Sequence, residues 1–277
     1  MLTPIRLQEY GVGIFKAAIT KSALKKALKK QFVTVNDVIA STATYIKGGE
    51  CISLSISEEY IPKKKFILQL NVLFEDDYLA VIHKPAGIVV SGNRFKTITN
   101  ALVRNIKKSK HPDATKPQPV HRLDFATTGI LLAGKTSSSI RALNKLFEDK
   151  AIEKTYYAIT IGKMDSQGVI THDIDDKPSQ SHYKVCDTVS SKRFGTLNLI
   201  QLEPQTGRRH QLRKHLSQIG HPILGDKDYG IQHLILNGKG MYLHAYSLKF
   251  VHPFTNEDLF IKDELPKRFR KIFSQID

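Results

Sequence analysis

A charged, proline-bearing segment at residues 58–66, EEYIPKKKF, constrains the fold of this 277-residue chain more than any other feature. Its composition is typical of a linker rather than of a packed element. The chain is also longer than a typical domain of about 100–200 residues. We therefore expect a small domain at residues 12–57 and a larger one at residues 67–277, joined by this linker.

The charge of the chain is strongly unbalanced, with 42 Lys and Arg residues against 26 Asp and Glu residues and a formal net charge of +16 at pH 7. A positive field concentrates polyanions near a protein, which favours RNA, DNA or acidic lipid as the partner. A merely soluble basic surface is the alternative interpretation of the charge alone. No apolar stretch approaches the roughly 18 residues that a membrane span needs, so no membrane association is expected.

The N-terminal residues and the cysteines indicate the compartment. MLTPIRLQEYGVG lacks the basic stretch and long apolar core of a secretory signal. Cys51 and Cys186 lie far apart and form no CxxC motif, which argues against a disulfide framework or a thiolate metal site. The cytoplasm is therefore the expected location.

The segment TKSALKKALKKQ, residues 20–31, has the periodicity of an amphipathic helix. Its apolar stripe consists of Ala23, Leu24, Ala27 and Leu28. No acidic residue interrupts the lysines around this stripe. Lysines four apart on a helix repel each other by roughly a few tenths of a kcal/mol per pair. A phosphate backbone would relieve this repulsion, so Lys21, Lys25 and Lys29 are candidate RNA-binding residues; a solvated helix face is the alternative.

The order of basic helix, VTVN turn, GGE and strand resembles the small alpha-L RNA-binding module over residues 12–57. Two positions depart from the pattern of that family. Gln31 and Phe32 stand where a Gly is common before the VTVN-like strand, and Asp37 stands where the usual turn has Gly. The resemblance implies that this part of the chain binds RNA.

Beyond the linker, the pattern of elements is typical of an α+β domain. LNVLFEDDYLAVIHKPAG predicts two strands around an acidic turn, and KTYYAITIG and LNLIQLEP predict two more. Residues 137–150 and 209–219 have helical periodicity. Three prolines in residues 111–119 predict a surface loop. The irregular alternation of strands and helices favours α+β over a doubly wound fold.

The segment GILLAGKT, residues 129–136, matches the literal phosphate-loop pattern GxxxxGK[ST]. A functional phosphate loop follows an apolar strand and precedes a helix, and the amides of its intervening residues surround phosphates. Here the intervening residues are the apolar Ile-Leu-Leu-Ala, and the preceding segment HRLDFATT is polar. ATP or GTP binding through Lys135 is therefore disfavoured, and a buried strand is expected.

Asp124, the single carboxylate of HRLDFATTG, is the candidate for chemistry. The short polar side chains of Thr127 and Thr128 can bond turn amides and hold a tight loop before the buried strand. The same pattern fits an aspartate that only structures its loop or pairs with Arg122. The local sequence leaves both interpretations open.

A second cluster, EPQTGRRHQLRKHLSQIGHPILGDKDYG, supplies the cations. Arg208 lies in a predicted turn, and Arg209 and Arg213 lie four apart on one face of the predicted helix. An arginine held bidentately against a buried carboxylate keeps it anionic and fixes its orientation, in a site dry enough for reaction. Arg213 is the candidate partner of Asp124, and phosphate binding alone is the alternative role for this helix.

Eleven histidines raise the question of a metal site. His210 and His215 are five apart, a poor spacing for one helix face, and no carboxylate or thiolate lies alongside them. No metal is expected at this helix. His121 is expected to hydrogen-bond within its own loop rather than to bind a metal ion.

Five ordered blocks between Leu73 and Pro266 resemble the RluA family of RNA pseudouridine synthases. They are LFEDDYLAVIHKPAG, HRLDFATTGILLAGKT, EKTYYAI, TGRRHQLRKHLSQIGHPILGDKDYG and YLHAYSLKFVHPFT. HRLD, rather than the GRLD of a sister family, indicates this branch. Two features depart from the family: SGNRFK follows KPAG where His-Pro often stands, and Thr128 replaces the commoner Ser.

The resemblance implies an α+β pseudouridine synthase fold, with a mixed, mainly antiparallel sheet and flanking helices. It implies an isomerase that detaches uracil from uridine in RNA, turns it and rejoins it through carbon. Composition and redox state do not change in this reaction, so no nicotinamide, metal or nucleotide cofactor is expected.

The resemblance also implies roles for matching positions. Asp124 would be the catalytic nucleophile, Arg213 its partner, and Tyr156 the ring that stacks on the target base. Arg122 would help to displace that base from its stack. Strand alternation separates Tyr156 from Tyr157, and the K-x-Y spacing of the family selects Tyr156. The remaining expected substrate contacts are His121, Thr127, Arg208, Arg209 and Lys154.

RNA is the expected partner, with large-subunit ribosomal RNA preferred over transfer RNA, and a monomer is expected. The alternative is a non-catalytic RNA-binding or ribosome-assembly protein of the same fold. Asp124→Asn distinguishes the two, because it removes product formation from an enzyme while RNA binding persists.

Overall fold

A computed structural model describes residues 3–15, 17–18, 20–55, 66–236, 238 and 240–274. The chain divides into two compact units, Met1–Lys65 and Phe66–Asp277, which we call the N-terminal unit and the C-terminal unit. The division falls at the end of the segment predicted as a linker, of which residues 58–65 lie outside the described part of the chain. No helix in the described part is long and apolar enough to cross a membrane.

The N-terminal unit combines short helices with two small antiparallel sheets. Strand β1 pairs with β4, and β2 lies between β3 and β5. The elements are β1 (Ile5–Arg6), α1 (Leu7–Tyr10), α2 (Lys21–Lys29), β2 (Val33–Val35), β3 (Val38–Ile39), β4 (Tyr45–Ile46) and β5 (Ile52–Leu54).

Helix α2 has the amphipathic structure that its sequence predicts. The Thr20 side-chain oxygen accepts a hydrogen bond from the amide of Ala23 and caps the helix N-terminus. Leu24, Ala27 and Leu28 are buried in the core of the N-terminal unit. The predicted apolar stripe is therefore confirmed, and the lysines lie on the opposite, exposed face.

In the turn between β2 and β3, Asp37 occupies the position where the related module usually has Gly. Asn36 and Asp37 form this turn, with φ values of 48° and 64°. Both lie in the left-handed region, which Asn and Asp tolerate better than other residues with a side chain. The Asn36 Oδ1 also accepts a hydrogen bond from the amide of Cys51 at 2.8 Å. Asp37 therefore preserves the turn.

The C-terminal unit contains a ten-stranded sheet, four α-helices and a short 3-10 helix (Gln232–Leu234) among its described residues. In chain order the elements are β6 (Asn71–Glu75), β7 (Leu79–Lys84), α3 (Ile98–Asn105), β8 (Ala114–Pro119), β9 (Thr128–Thr136), α4 (Ser137–Glu148), β10 (Glu153–Ile161), β11 (Gln167–Ile170), β12 (Ser181–Ser191), β13 (Gly195–Pro204), α5 (Gln211–Gln218), β14 (Leu243–Val251), β15 (Asp258–Lys262) and α6 (Lys267–Arg270).

The order of strands in this sheet is β11-β12-β13-β10-β14-β9-β7-β6, with β15 paired to β14 and β8 to β9. Only β14 and β9 pair in parallel among the described strands, through His244 opposite Thr128 and Ala245 opposite Gly129. A Cβ on Gly129 would lie 2.1 Å from the Ala245 carbonyl oxygen, so this close approach requires glycine. The predicted α+β fold with a mixed, mainly antiparallel sheet is confirmed.

Strand β9 is buried on both faces, which explains its apolar run. Leu131 and Ala133 pack in one cluster with residues of α3, and Ile130 and Leu132 pack in another with residues of α4. GILLAGKT is thus a strand whose backbone pairs with β7 instead of folding around an anion. Lys135, the cation of the phosphate-loop pattern, is buried and forms an ion pair within this unit.

The proline-rich segment differs from its prediction. We expect residues 111–119 to form a surface loop, but the structure places Ala114–Pro119 in strand β8. Among the described strands, β8 pairs only with β9, and its register is irregular between Ala114 and Gln118. Pro117 lies within that irregularity, where no amide donor is required, so an edge strand tolerates the prolines.

Candidate active site

One cleft of the C-terminal unit collects the residues predicted for chemistry. Asp124 lies in the loop between β8 and β9, Arg213 in the first turn of α5, and Tyr156 on the central strand β10. All three line one cavity of about 280 Å³. The other predicted site residues that line it are Arg122, Thr127, Arg208 and Arg209.

Arg213 and His210 face the two oxygens of Asp124. The Arg213 Nη1 donates a hydrogen bond to Asp124 Oδ2 at 3.2 Å. The His210 Nε2 lies 3.7 Å from Asp124 Oδ1. The Asp124 side chain is 18% exposed, whereas that of Arg213 is only 6% exposed. The carboxylate therefore stays accessible from the cavity while its main cationic partner is buried.

We expect a bidentate contact between Arg213 and Asp124, but Arg213 makes its bidentate contact with a different aspartate. Arg213 Nε and Nη2 donate to the two carboxylate oxygens of Asp226, each at 2.7 Å, and Nη2 also donates to Asp228 at 2.6 Å. Burial disfavours the charged guanidinium, but the bonds to Asp226 and Asp228 raise the pKa of Arg213 above its usual value. Only the Nη1 edge is directed to Asp124, because the other edge is already held.

Asp226 is a site residue that the sequence analysis did not identify. It is 1% exposed, and its Oδ1 accepts hydrogen bonds from the amides of Asp228 and Tyr229. Burial opposes its ionisation, but the Arg213 guanidinium holds its pKa below the usual value. The block GDKDYG contains this carboxylate, yet nothing in its spacing indicates that it faces α5.

The start of α5 differs from its prediction at His210. We predict a helix from residue 209, but His210 has a φ of 56° and the helix begins at Gln211. Arg209 is therefore outside the helix and does not share a helical face with Arg213. The Tyr229 hydroxyl lies 3.0 Å from His210 Nδ1 and fixes the imidazole next to the cavity. Burial lowers the pKa of His210, although Asp124 acts in the opposite direction.

A buried lysine that the sequence analysis also missed supports the Asp124 loop from behind. Lys84, at the end of β7, is 0% exposed. Its Nζ donates to the carbonyl oxygens of Pro85 at 2.9 Å, Thr127 at 2.8 Å and Phe125 at 3.5 Å. Burial lowers the pKa of Lys84 to about 8, against the opposing influence of Asp124. Most lysines extend to solvent, so the sequence alone did not indicate this position.

Two predicted site residues hold the same loop by hydrogen bonds. The amide of Thr127, which is buried, donates to the carbonyl oxygen of Asp124 at 3.2 Å. The His121 Nε2 accepts a hydrogen bond from the amide of Leu132 at 2.9 Å. Burial lowers the pKa of His121 to about 3, so this imidazole is neutral and can act as the acceptor.

Of the two adjacent tyrosines, only Tyr156 lines the cavity. Tyr157 packs edge-on against Tyr246, with ring centroids 5.0 Å apart. Burial raises the pKa of Tyr156, and Asp124 raises it further, so its hydroxyl stays protonated. The ring next to Asp124 is therefore neutral and partly buried.

The arginines at the mouth of the cavity are arranged differently from Arg213. Arg122, Arg208 and Arg209 are exposed, and we call these three residues the rim. Lys154 lines a second cavity of about 550 Å³ that shares Arg122, Arg208 and Tyr156 with the first. Burial lowers the pKa of Lys154. The two cavities thus form one cationic groove past the Tyr156 ring.

The predicted lysines of α2 belong to the N-terminal unit. Lys21, Lys25 and Lys29 are all exposed. The Lys21 Nζ lies 2.6 Å from Glu9 Oε1 on α1. An acid from outside the predicted segment therefore offsets the repulsion at Lys21.

The two histidines weighed as metal ligands have separate partners. His215 is buried, and its Nδ1 and Nε2 lie 3.0 Å from Ser181 Oγ and 2.8 Å from Ser179 Oγ. His210 instead faces Asp124. In the described ranges, no group of three or more His, Cys, Asp or Glu side chains is arranged to hold a metal ion.

The cavity presents an accessible carboxylate oxygen, from Asp124, beside the neutral aromatic ring of Tyr156. Arg213, held by Asp226, orients the carboxylate, and the exposed arginines can bind phosphates around a nucleotide. A flipped base stacked on the Tyr156 ring would lie next to Asp124. The arrangement can therefore support nucleophilic catalysis on a nucleotide that has left its stack.

The sequence of this chain is similar to those of known RNA pseudouridine synthases. Residues 78–218 match the family model described as RNA pseudouridylate synthase. The chain is 31% identical to an uncharacterized RNA pseudouridine synthase of Aquifex aeolicus, covering 93% of this chain and 90% of that protein. It is also 31% identical to the ribosomal large subunit pseudouridine synthase D of Nitrosomonas europaea, covering 89% and 77% of the two chains.

A solved structure gives the same assignment. The human RNA pseudouridylate synthase domain containing 4 superposes with a TM-score of 0.60 at 26% identity, covering 74% of this chain and 92% of that one. Nothing in these matches supports the non-catalytic alternative. The family model spans half of the chain and the relatives cover most of it, so the chain belongs to the RluA family of RNA pseudouridine synthases, isomerases that act on RNA.

Proposed function

We propose that this protein converts uridine to pseudouridine in large-subunit ribosomal RNA, with Asp124 as the nucleophile. The observation that carries the proposal is the position of Asp124, which is exposed to a cavity, bonded to the buried Arg213 and beside the ring of Tyr156. The choice of ribosomal RNA rests on relatives named as ribosomal large subunit pseudouridine synthases.

In this proposal, the anionic oxygen of Asp124 attacks the ribose or the base of the target nucleotide. The bond between N1 of uracil and the ribose breaks, the base turns, and a bond from C5 to the same ribose carbon forms. The bond between the Asp124 oxygen and the nucleotide then breaks, which restores the free carboxylate. The proton on C5 leaves and N1 gains one, so no atom or electron is lost overall. Arg213 maintains the orientation of the carboxylate through these steps.

The target uridine must leave its stack before it reaches Asp124, which costs a few kcal/mol. We assign this step to Arg122, which is exposed at the mouth of the cavity, and to Tyr156, on whose ring the base stacks. Arg208, Arg209 and Lys154 lie along the groove and would bind the flanking phosphates.

The N-terminal unit adds affinity in this proposal. The exposed lysines of α2 would bind RNA phosphates, as in the alpha-L module that the unit resembles. The proposal takes the monomer as the working form. A cytoplasmic location follows if ribosomal RNA is the substrate.

The test is the formation of pseudouridine by purified protein in large-subunit ribosomal RNA and in transfer RNA. We expect product in the ribosomal RNA from wild type, and none from Asp124→Asn. RNA affinity should change by only about a few-fold in that variant, since its charge is not needed to bind phosphates. Product in transfer RNA alone would contradict the proposed substrate, and activity retained in Asp124→Asn would contradict the proposed nucleophile.

A further inference from the structure

An exposed phenylalanine follows Asp124 directly. The side chain of Phe125 is 54% exposed, although its backbone is held firmly. Its carbonyl oxygen accepts hydrogen bonds from the amide of Gly87 at 2.8 Å and from Lys84 Nζ at 3.5 Å. The loop that positions Asp124 therefore also positions an aromatic ring in solvent.

The surroundings of this ring are open and cationic. A cavity of about 580 Å³, separate from the one at Asp124, is lined by Val89, Ser91, Gly92, Asn93, Arg94 and Phe125. Residues 91–96, SGNRFK, are all exposed and include a second aromatic ring and two cations without any acid. SGNRFK is the segment that departs from the family pattern after KPAG. The exposed cations and aromatic ring at this position are therefore not part of that pattern.

An aromatic ring among cations suits a nucleic acid better than an apolar protein segment. Every nucleobase has a face that can stack on a phenyl ring, and the phosphates beside it require positive charge. Consecutive Cα atoms lie about 3.8 Å apart, so the ring is within reach of the nucleotide next to the one at Asp124. In a loop or single-stranded segment, the bases beside the target uridine are unpaired, so such a base is available for stacking.

We propose that Phe125 and Arg94 form a second base-stacking site, which holds an unpaired nucleobase next to the target uridine. This inference rests on the proposed function for the identity of the base at Asp124. Phe125 stacks on the neighbouring base, and Arg94 binds the phosphate that follows it. The site adds a contact to the strand beyond those of the rim arginines, which line the separate cavity at Asp124.

The experiment uses the full chain and a uridine-rich single-stranded RNA that contains 2-aminopurine, a base whose fluorescence is quenched by stacking. We expect Phe125→Ala and Phe125→Leu to weaken binding roughly tenfold and to remove the quenching. Phe125→Tyr, which keeps the ring, should bind within about twofold of wild type. Phe260→Ala is the matched control, because Phe260 is 63% exposed on β15, and it should bind like wild type.

Salt dependence separates the two residues of the site. Arg94→Ala should reduce the slope of log binding constant against log salt by about 0.7, the value for one phosphate contact on a single strand. Phe125→Ala should leave that slope unchanged. A Phe125→Leu variant that binds and quenches like wild type would show that the ring only covers apolar surface, and would overturn the inference.

Pseudouridine formation by wild type is measured in parallel on ribosomal RNA. If wild type makes pseudouridine but Phe125→Ala binds and quenches normally, the stacking site is wrong and the proposed function stands. If wild type makes no pseudouridine but Phe125→Ala loses affinity and quenching, the proposed function is wrong and the stacking site stands.

Discussion

Arg213 and the rim arginines present the same chemical group to one cavity in opposite circumstances. Arg213 is 6% exposed and bonds Asp124, Asp226 and the exposed Asp228. We call Arg213, Asp124, Asp226 and Lys84 the floor. The rim arginines are exposed at the opening of the same cavity. The Arg213 guanidinium is thus fixed by its ion pairs, whereas the guanidinium groups of the rim arginines are exposed and can adapt to a ligand.

The difference in burial decides what each group can do. Two unit charges 4 Å apart interact by about 4 kcal/mol at an effective dielectric constant of 20, but by only about 1 kcal/mol in water. A buried pair can therefore hold a reactive carboxylate in one orientation, whereas exposed arginines mainly add salt-dependent affinity for phosphates. The floor is suited to chemistry, and the rim to binding a strand whose sequence can vary.

The largest expected effect concerns Asp226, the partner that fixes Arg213. Asp226→Asn leaves a buried guanidinium with less compensation, so we expect a loss of about 3–5 kcal/mol in the free energy of unfolding. We also expect kcat to fall about 100-fold, because the orientation of Asp124 is lost. Urea unfolding and single-turnover kinetics measure the two effects.

Asp228→Asn is the matched control for this prediction. Asp228 bonds the same guanidinium, but its side chain is 63% exposed. Its replacement should change stability by about 0–1 kcal/mol. Equal effects of the two substitutions would show that burial does not separate the floor from its surroundings.

Lys84 tests the electrostatic part of the comparison through pH. Its pKa is about 8 in the folded chain against an ordinary value of 10.5. The unfolded chain binds more protons between these values, so the contribution of Lys84 to stability improves as the pH rises from 8 to 10.5. We expect wild type to gain stability relative to Lys84→Met, by on the order of 3 kcal/mol over that window. Parallel stability curves for the two proteins would mean that the lysine is not desolvated.

A smaller effect is expected at the rim. Arg209→Ala should weaken RNA binding about threefold and reduce the salt slope by about 0.7–0.9, since one phosphate contact is lost. The value of kcat at saturating RNA should not change. Affinity titrations at several salt concentrations, combined with kcat, measure both. A fall in kcat without loss of affinity would mean that Arg209 acts in the reaction, like the floor residues, and not in phosphate binding.

The smallest effect extends the comparison to the N-terminal unit. Lys29→Ala should weaken RNA binding about twofold, as expected for one exposed phosphate contact. Lys21→Ala should have less effect, because Lys21 already pairs with Glu9. Fluorescence anisotropy with ribosomal RNA fragments measures the difference. A larger loss from Lys21→Ala would place the RNA on the α1 side of α2.

The local patterns of the sequence predicted several elements of the fold. The periodicity of residues 20–31 corresponds to α2, and the apolar GILLAGKT corresponds to the doubly buried β9. The prolines of residues 111–119 misled the prediction, because an irregular edge strand needs fewer amide donors than a central strand. The helix boundary at Gln211 was missed because nothing in the sequence indicates the positive φ of His210.

The site was only partly accessible to sequence reasoning. The ordered motifs selected Asp124, Tyr156 and Arg213, and the structure places all three around one cavity. Asp226 and Lys84 were not identified, because their importance comes from burial against distant segments. A carboxylate or a lysine in isolation is most often a solvated surface residue.

By itself, the sequence determined the chemistry available to this protein: one carboxylate in a basic loop, a tyrosine on an apolar strand and an arginine-rich segment, all in the order of one enzyme family. Only the tertiary structure decided which charges are desolvated and which arginine holds which aspartate. The physical reason is that residue type and periodicity act locally along the chain. Burial and ion-pair geometry depend instead on segments far apart in sequence that meet when the sheet assembles.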